Sequence, residues 1–180
     1  MQQEPTFASL YISINQIKNM CINLDGLIMK KEGDLIDEPV KRNLFIQYKA
    51  FPGLEKLKTN VVWQEVEPKF HYRSQFPVIV NPSTIDKLQN FTFVLEVWDS
   101  INTAKEEFIG LVKIPLTSFV VSMKTTDSQI YSLNFLADQH CVYPMMISDG
   151  PLPIYSPKLG ANVGDLYITL ALGSSNQINR

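Results

Sequence analysis

The sequence is short of the residues on which most catalytic and metal sites depend. Its 180 residues include two cysteines, Cys21 and Cys141, and two histidines, His71 and His140. Two cysteines cannot form a disulfide framework, and we expect both to be reduced thiols. His140 and Cys141 are neighbours, and neighbouring side chains on a strand point to opposite sides, so they do not predict a nucleophile with its base. Because the sequence also has no Gly-x-Ser-x-Gly motif, no phosphate-binding glycine loop and no spaced cysteine–histidine set, we expect no catalysis, no metal and no cofactor.

Long hydrophobic runs and an excess of charge are missing as well. No apolar run reaches the ~18 residues that a membrane-spanning helix needs. The first residues lack the basic start and apolar stretch of a signal peptide. Lys and Arg number 16 and Asp and Glu 18, which gives a net charge of -2 and a pI near 5.7, whereas nucleic-acid-binding domains are usually basic. We therefore expect a cytosolic protein that does not bind nucleic acid.

What the sequence does have is hydrophobic residues at a spacing of two. They make up 45 % of the chain, which is enough for a core, and the length is typical of one domain. Alternation of apolar and polar residues predicts β-strands, because successive side chains of a strand face opposite sides. Eight short strands are predicted, at residues 10–14, 44–51, 61–63, 70–80, 91–98, 108–114, 130–133 and 166–172.

Helices are predicted only as short segments. The candidates are residues 83–88, with Ser83 as a possible N-cap, and residues 116–123. Pro77 interrupts a predicted strand and cannot donate to a β-ladder, so it predicts an edge strand or a bulge. Many short strands without intervening helices indicate an all-β, antiparallel sandwich.

Two segments do not follow the strand pattern. Residues 18–42 and 136–164 are rich in turn residues, the first in Asp–Gly and Lys–Lys pairs, the second in proline and glycine. Loops of this length are uncommon in compact domains. We predict a single domain over residues 1–180, with a core of about 7–175 and these two segments as insertions.

Several motifs in the middle of the chain resemble those of C2 domains. Residues 58–72, Lys-Thr-Asn-Val-Val-Trp-Gln-Glu-Val-Glu-Pro-Lys-Phe-His-Tyr, resemble the family's Lys/Thr-rich strand, turn and aromatic strand. Residues 95–99, Leu-Glu-Val-Trp-Asp, and 107–110, Glu-Phe-Ile-Gly, resemble its Val-Trp-Asp strand and the Asp-Phe-hydrophobic-Gly motif that follows. The resemblance extends over roughly residues 7–174. It implies an eight-stranded antiparallel C2-type β-sandwich with loops clustered at its ends.

Within the family, the chain resembles the C2 domains of centriolar and ciliary proteins. The similarity lies in residues 43–48, Asn-Leu-Phe-Ile-Gln-Tyr, in 76–80 with 85–88, and in 164–174, Gly-Asp-Leu-Tyr-Ile-Thr-Leu-Ala-Leu-Gly-Ser. The resemblance implies one domain of a larger multi-domain protein in the cytoskeleton, at the centriole or basal body of the cilium. Its partners would be other centriolar or ciliary proteins. A domain that serves only as a spacer in such a protein would have the same sequence features.

The resemblance also defines where a calcium site would lie. Calcium-binding C2 domains use about five aspartates from two loops, and calcium needs six to eight oxygen ligands. The corresponding positions here are Asp99, Ile101, Glu107 and Asn43. Isoleucine has no oxygen to offer, so we expect a calcium-independent domain, although the acidic residues of the 18–42 segment leave one weak site open.

Positively charged residues near the predicted central strands suggest a second kind of site. By alternation, Lys69, His71 and Arg73 share one side of their strand, opposite Phe70 and Tyr72. Each Lys or Arg near an anionic membrane contributes ~1 kcal/mol, so such a face could bind anionic phospholipid or phosphoinositide. The alternative is a solvated face whose charges prevent edge-to-edge association. The candidate residues for this lipid or partner face are Lys49, Lys56, Lys58, Lys69, His71 and Arg73.

Apolar residues outside the predicted core are candidates for a partner surface. Phe45 and Phe51 lie on the polar side of their strand, and the alternative is that they pack under the first long segment. The second long segment carries further apolar area, which either caps the sandwich or binds a partner. Its candidate residues are Tyr143, Met145, Met146 and Tyr155.

Overall fold

The computed structural model describes residues 6–20, 41–51, 54–117 and 146–173. Within these ranges the chain forms nine β-strands and one short α-helix. The elements are β1 (Thr6–Lys18), β2 (Arg42–Tyr48), β3 (Leu57–Lys58), β4 (Val62–Glu65), β5 (Lys69–Val80), α1 (Pro82–Gln89), β6 (Thr92–Asn102), β7 (Lys105–Pro115), β8 (Met146–Ser156) and β9 (Ala161–Gly173). No helix among the described residues is long and apolar enough to cross a membrane.

The strands form two antiparallel layers that join at one edge. One layer has the order β3-β2-β6-β7, with β4 also paired to β2, and the other has the order β8-β9-β1-β5. A single pair, Leu111 opposite Tyr155, connects β7 to β8. The layers pack face to face, since the Tyr48 ring on β2 contacts the rings of Tyr72 and Phe76 on β5. The predicted all-β, antiparallel C2-type sandwich is confirmed.

The core lies between the layers and follows the alternation seen in the sequence. The side chains of Leu44, Ile46 and Tyr48 on β2 are almost fully buried, and β6 contributes buried residues at the same spacing of two. On β1 the register shifts between Ile14 and Gln16. This β-bulge explains why the inward row continues at Ile17 instead of residue 16. Full burial of each large aliphatic side chain contributes about 1.5–3 kcal/mol.

Gly110, which ends the Glu-Phe-Ile-Gly motif, is required by the junction of the two layers. A Cβ atom at this position would lie 2.6 Å from the carbonyl oxygen of Tyr155. Any other residue would therefore push β8 away from β7 at the point where they pair.

The prediction that residues 136–164 form an insertion without strands is wrong from residue 146 onward. These residues form β8, the turn after it and the start of β9, and the two strands pair along their whole length. The prolines at positions 151 and 153 suggest a loop because proline cannot donate to a ladder. They are two residues apart, so their missing N–H groups fall on the same edge of β8, and β8 has only one described pair on its β7 side.

The remaining elements agree with the sequence in kind and differ in detail. Helix α1 is confirmed, but its N-cap is Asn81 and not Ser83, because Asn81 Oδ1 accepts a 2.8 Å hydrogen bond from the Thr84 N–H. Pro77 lies within β5, which is the last strand of its layer, as predicted for an edge. Residues 21–40 and 118–145 lie outside the described part, and so do most of the 18–42 segment, the strand at 130–133 and most of the helix at 116–123.

Candidate functional site

The predicted calcium positions lie at one end of the β2–β6 pair. There Leu44 is opposite Asp99, whose side chain is 11 % exposed. One carboxylate oxygen of Asp99 accepts a 3.0 Å hydrogen bond from the Asn43 N–H, and the other accepts a 3.2 Å hydrogen bond from Arg42 Nη1. Arg42 Nε is buried without a hydrogen-bond partner in the described residues. The charge of Asp99 is thus balanced by an arginine of the same chain.

Asn43 links three strands at this end through its side-chain amide. Its Nδ2 donates to the Ser100 carbonyl on β6 at 3.0 Å. Its Oδ1 accepts from the Gln64 N–H at 2.9 Å and from Gln64 Nε2 at 3.1 Å, on β4. These neutral hydrogen bonds, together with the Asp99 ion pair, hold β4, β2 and β6 together.

The described residues at this end do not supply the oxygen ligands of a multi-calcium site. Glu107 is opposite Asp99 in the β6–β7 register, but Ile101 projects to solvent with no oxygen ligand. Both oxygens of Asp99 already accept hydrogen bonds. Across the described ranges, no three His, Cys, Asp or Glu side chains come together in a way that could hold a metal ion. Calcium would need several further oxygens in place of the Arg42 guanidinium.

The six candidate cationic residues do not form one face, which corrects the prediction. Lys49, Lys56 and Lys58 lie on or beside β2 and β3, in the layer that packs against the layer of β5. The other three lie on β5 and are exposed, while Phe70 and Tyr72 between them are half-buried. We call Lys69, His71 and Arg73 the basic face. None of the three forms an ion pair within the described part of the chain.

Two of the three lysines on or beside β2 and β3 are already paired. Lys56 Nζ lies 3.2 Å from Glu96, and Lys58 Nζ lies 2.9 Å from Glu106. The carboxylate of Glu96 also accepts a 3.1 Å hydrogen bond from the Trp98 indole. Their positive charge is therefore less available to an anionic surface than that of the basic face.

Phe45 is not part of a partner surface, contrary to the prediction. It does lie on the outer side of β2, but its side chain is fully buried. The Trp98 ring stacks on it at 6.5 Å with an interplanar angle of 9°, and Phe108 packs edge-on against Trp98 at 5.3 Å. Lys58 Nζ covers the Phe45 ring at 3.7 Å from its centroid. We call Phe45, Trp98 and Phe108 the aromatic face.

The other candidates for a partner surface have different positions. Phe51 is half-buried and packs against the core, so it is not a free surface residue either. Tyr155 is 44 % exposed on β8. Met146 is the first residue of β8. Tyr143 and Met145 lie outside the described residues.

The sequence prediction missed two important residues at the end of β2 where Asp99 lies. Arg42 is the partner of Asp99, 57 positions away in sequence, and only the β2–β6 register brings the two together. Trp63 on β4 is 57 % exposed. The sequence predicts a strand here, but it has no signal for the register shift of β4 against β2 or for the positive φ of 56° at the next residue, Gln64.

Comparison with known proteins agrees with this architecture. The family model for the C2 domain matches residues 10–133, which is more than half of the chain. The chain belongs to the C2 domain family.

Its relatives include much longer proteins. Human C2 domain-containing protein 3 is 31 % identical over 167 residues, which is 89 % of this chain and 7 % of that protein. Among solved structures, a C2 domain of plant extended synaptotagmin 1 has a TM-score of 0.54 at 15 % identity, and the match covers 93 % of this chain and 95 % of that chain. Human GIVD cytosolic phospholipase A2 has a TM-score of 0.53 at 12 % identity, and 94 % of this chain matches 17 % of that one. These structural similarities concern the fold.

Proposed function

We propose that the chain is a calcium-independent C2 domain that binds another protein and acts as a scaffold module in centriole distal-end or basal-body assembly, and so in cilium formation. It would be one domain of a larger protein of the cytoplasm and cytoskeleton, with other centriolar or ciliary proteins as partners and no catalytic role. Two things support this: the resemblance to centriolar C2 domains, and the fact that the chain spans 7 % of the human relative.

The observation that carries calcium independence is the Arg42–Asp99 ion pair. Side chains of the two residues are 14 % and 11 % exposed, and their charged atoms are 3.2 Å apart. In this position the guanidinium supplies the positive charge that a calcium ion would bring. Calcium binding would have to release an arginine from a partly buried pair, and separation of such a pair leaves an uncompensated charge.

Calorimetric titration of the chain with calcium tests this point. We expect no binding at low micromolar concentration. The variant Arg42→Gln removes the charge, and we expect weak calcium heats to appear in it, while Lys41→Gln, at an exposed neighbour, stays silent. Low-micromolar binding by the wild type would contradict calcium independence.

Localisation of the tagged chain in ciliated cells tests the centriolar role. We expect the chain to concentrate at centrioles or basal bodies, and calcium chelation to leave this distribution unchanged. A chain that coats membranes and is absent from centrioles would contradict the proposal.

The second candidate function is peripheral binding to anionic phospholipid, and the basic face favours it. Lys69, His71 and Arg73 are exposed without ion pairs in the described residues. Flotation with phosphatidylinositol 4,5-bisphosphate vesicles at low salt tests it. Binding that is lost in Lys69→Ala/Arg73→Ala and kept in Lys56→Ala, where the lysine is already paired, would favour this function. No flotation of the wild type would remove it.

A further inference from the structure

Trp63 is unusually exposed for a tryptophan. Its exposed fraction of 57 % is the largest among the big hydrophobic side chains of the described residues. Tryptophan is usually well buried, and exposed aromatic anchors are frequent among the residues that dominate protein–protein binding.

The backbone beside Trp63 is held in a conformation that L-residues rarely adopt. Gln64 has a φ of 56°, which costs a non-glycine residue about 1–2 kcal/mol. The Asn43 amide stabilises it through the two hydrogen bonds to Gln64 described above. Conformations of this kind cluster at binding sites, where they direct a side chain.

The same amide connects Trp63 to a second exposed apolar residue. Asn43 Nδ2 donates to the carbonyl of Ser100, and the next residue, Ile101, is 44 % exposed. Asn43 therefore fixes the segments that carry Trp63 and Ile101 on either side of β2, at the same end of the sheet.

Cations cover other aromatic rings of this domain. Lys58 Nζ lies 3.7 Å from the ring centroid of Phe45, and Lys18 Nζ lies 5.3 Å from that of Tyr167. In the described part of the chain, no cation lies over the Trp63 ring, although indole is the strongest aromatic partner for a cation.

The charges next to Trp63 in sequence are acidic. Glu65 and Glu67 are exposed and form no ion pair among the residues that the structure describes. Arg42, which is opposite Glu65 in the β2–β4 register, is paired with Asp99, and Lys58 is paired with Glu106. Exposed lysines at positions 41 and 105 lie on neighbouring segments, so the surface around Trp63 has only a small excess of negative charge. We therefore expect the indole to contribute more of the binding energy than the carboxylates.

We propose that Trp63, Ile101, Glu65 and Glu67 form a docking surface for a protein segment that carries an arginine or lysine next to an apolar side chain. The cation would lie over the indole between the carboxylates, and the apolar side chain would pack against Ile101. This inference rests on the proposed protein-binding function and names its surface.

Fluorescence first tests whether the ring is free. The chain has two tryptophans, so Trp98→Phe leaves Trp63 as the sole emitter. We expect red-shifted emission that acrylamide quenches readily. Blue-shifted, protected emission would show that the chain covers its own tryptophan, and would overturn the proposal.

Selection from a random-peptide phage library against the wild-type chain then tests the partner chemistry. We expect enriched peptides with a required Arg or Lys beside an apolar residue. Their affinity should fall about tenfold or more in Trp63→Ser, and a few-fold in Glu65→Gln/Glu67→Gln. Ile79→Ser is the matched control, since Ile79 is 47 % exposed on β5, and it should leave binding unchanged.

Four results would overturn the inference. They are the absence of enriched peptides, binding that survives Trp63→Ser, acidic peptides as the selected class, and a Trp63 emission shift with phosphatidylcholine–phosphatidylserine vesicles instead of peptides. A dimer of the wild type that dissociates in Trp63→Ser, seen by analytical ultracentrifugation, would also replace the proposed partner with a second copy of the chain. Failure of the wild type to reach centrioles concerns the proposed function and not this surface, so the two outcomes are distinguishable.

Discussion

The aromatic face and the basic face are outer surfaces of the two layers of one sandwich, yet they differ in accessibility. On the aromatic face, Lys58 lies over Phe45 and pairs with Glu106, so apolar and charged groups satisfy each other. On the basic face, Lys69 and Arg73 are exposed and have no ion pair within the described residues. The comparison shows that a lysine on a strand stabilises the fold when it contacts an aromatic ring and a carboxylate. A lysine that contacts neither remains available to bind a partner.

Loss of the Phe45 ring should have the largest effect. Phe45→Ala removes a fully buried ring from the stack with Trp98 and leaves a cavity under Lys58. We expect a loss of about 3 kcal/mol in the free energy of unfolding, measured by urea denaturation. Phe51→Ala, at a half-buried position, is the control and should cost less. A loss below ~1 kcal/mol for Phe45→Ala would show that the aromatic face is not a second core.

Removal of the lysine that covers this ring should have an intermediate effect. Lys58→Ala exposes one side of Phe45 and ends the cation–π contact, and we expect a loss of about 1 kcal/mol in urea denaturation. Glu106→Gln removes only an exposed ion pair and should change the stability by less than ~0.5 kcal/mol. Equal losses in the two variants would mean that the ion pair, and not the ring contact, fixes Lys58.

The Tyr48 side chain packs between the two layers, and we expect it to make the stability of the domain depend on pH in the alkaline range. Burial raises the pKa of the Tyr48 hydroxyl well above its ordinary value of 10.0, and the 2.9 Å hydrogen bond with the Tyr72 hydroxyl raises it further. The unfolded chain therefore loses this proton first. Its contribution to stability is complete below about pH 10 and decreases as the pH rises above that value.

The variant Tyr48→Phe tests this contribution. It should cost about 1 kcal/mol at neutral pH through the lost hydrogen bond, and it should reduce the decline of stability above about pH 10 in urea denaturation. The same alkaline slope in wild type and variant would contradict the assignment to Tyr48.

The basic face should show the smallest effect on stability. Lys69→Ala removes an exposed side chain without an ion pair in the described residues, and we expect a change within about 0.5 kcal/mol in the same urea assay. Lys58→Ala serves as the matched substitution at the other face. If both variants lose the same stability, the distinction between the two faces fails.

The strand pattern of this chain was predictable because burial between two layers imposes a period of two. The alternation at Leu44, Ile46 and Tyr48 and at the corresponding positions of β6 matches buried, inward-facing side chains. The pattern failed at β8, where Pro151 and Pro153 suggest a loop. Proline is rare in strands that are paired on both edges, because it cannot donate to the ladder. Only the sheet order shows that most of β8 lacks described pairs on its β7 side.

By itself, the sequence determined the all-β sandwich, the family resemblance, and the loss of an oxygen ligand at Ile101. Those properties depend on local alternation and on residue type, which a linear chain displays directly. Only the tertiary structure decided that Arg42 neutralises Asp99, that Phe45 is buried under Lys58, and that Trp63 is exposed to solvent. Each of these depends on register between strands that are distant in sequence, or on one residue with a positive φ, and alternation alone carries no information on either.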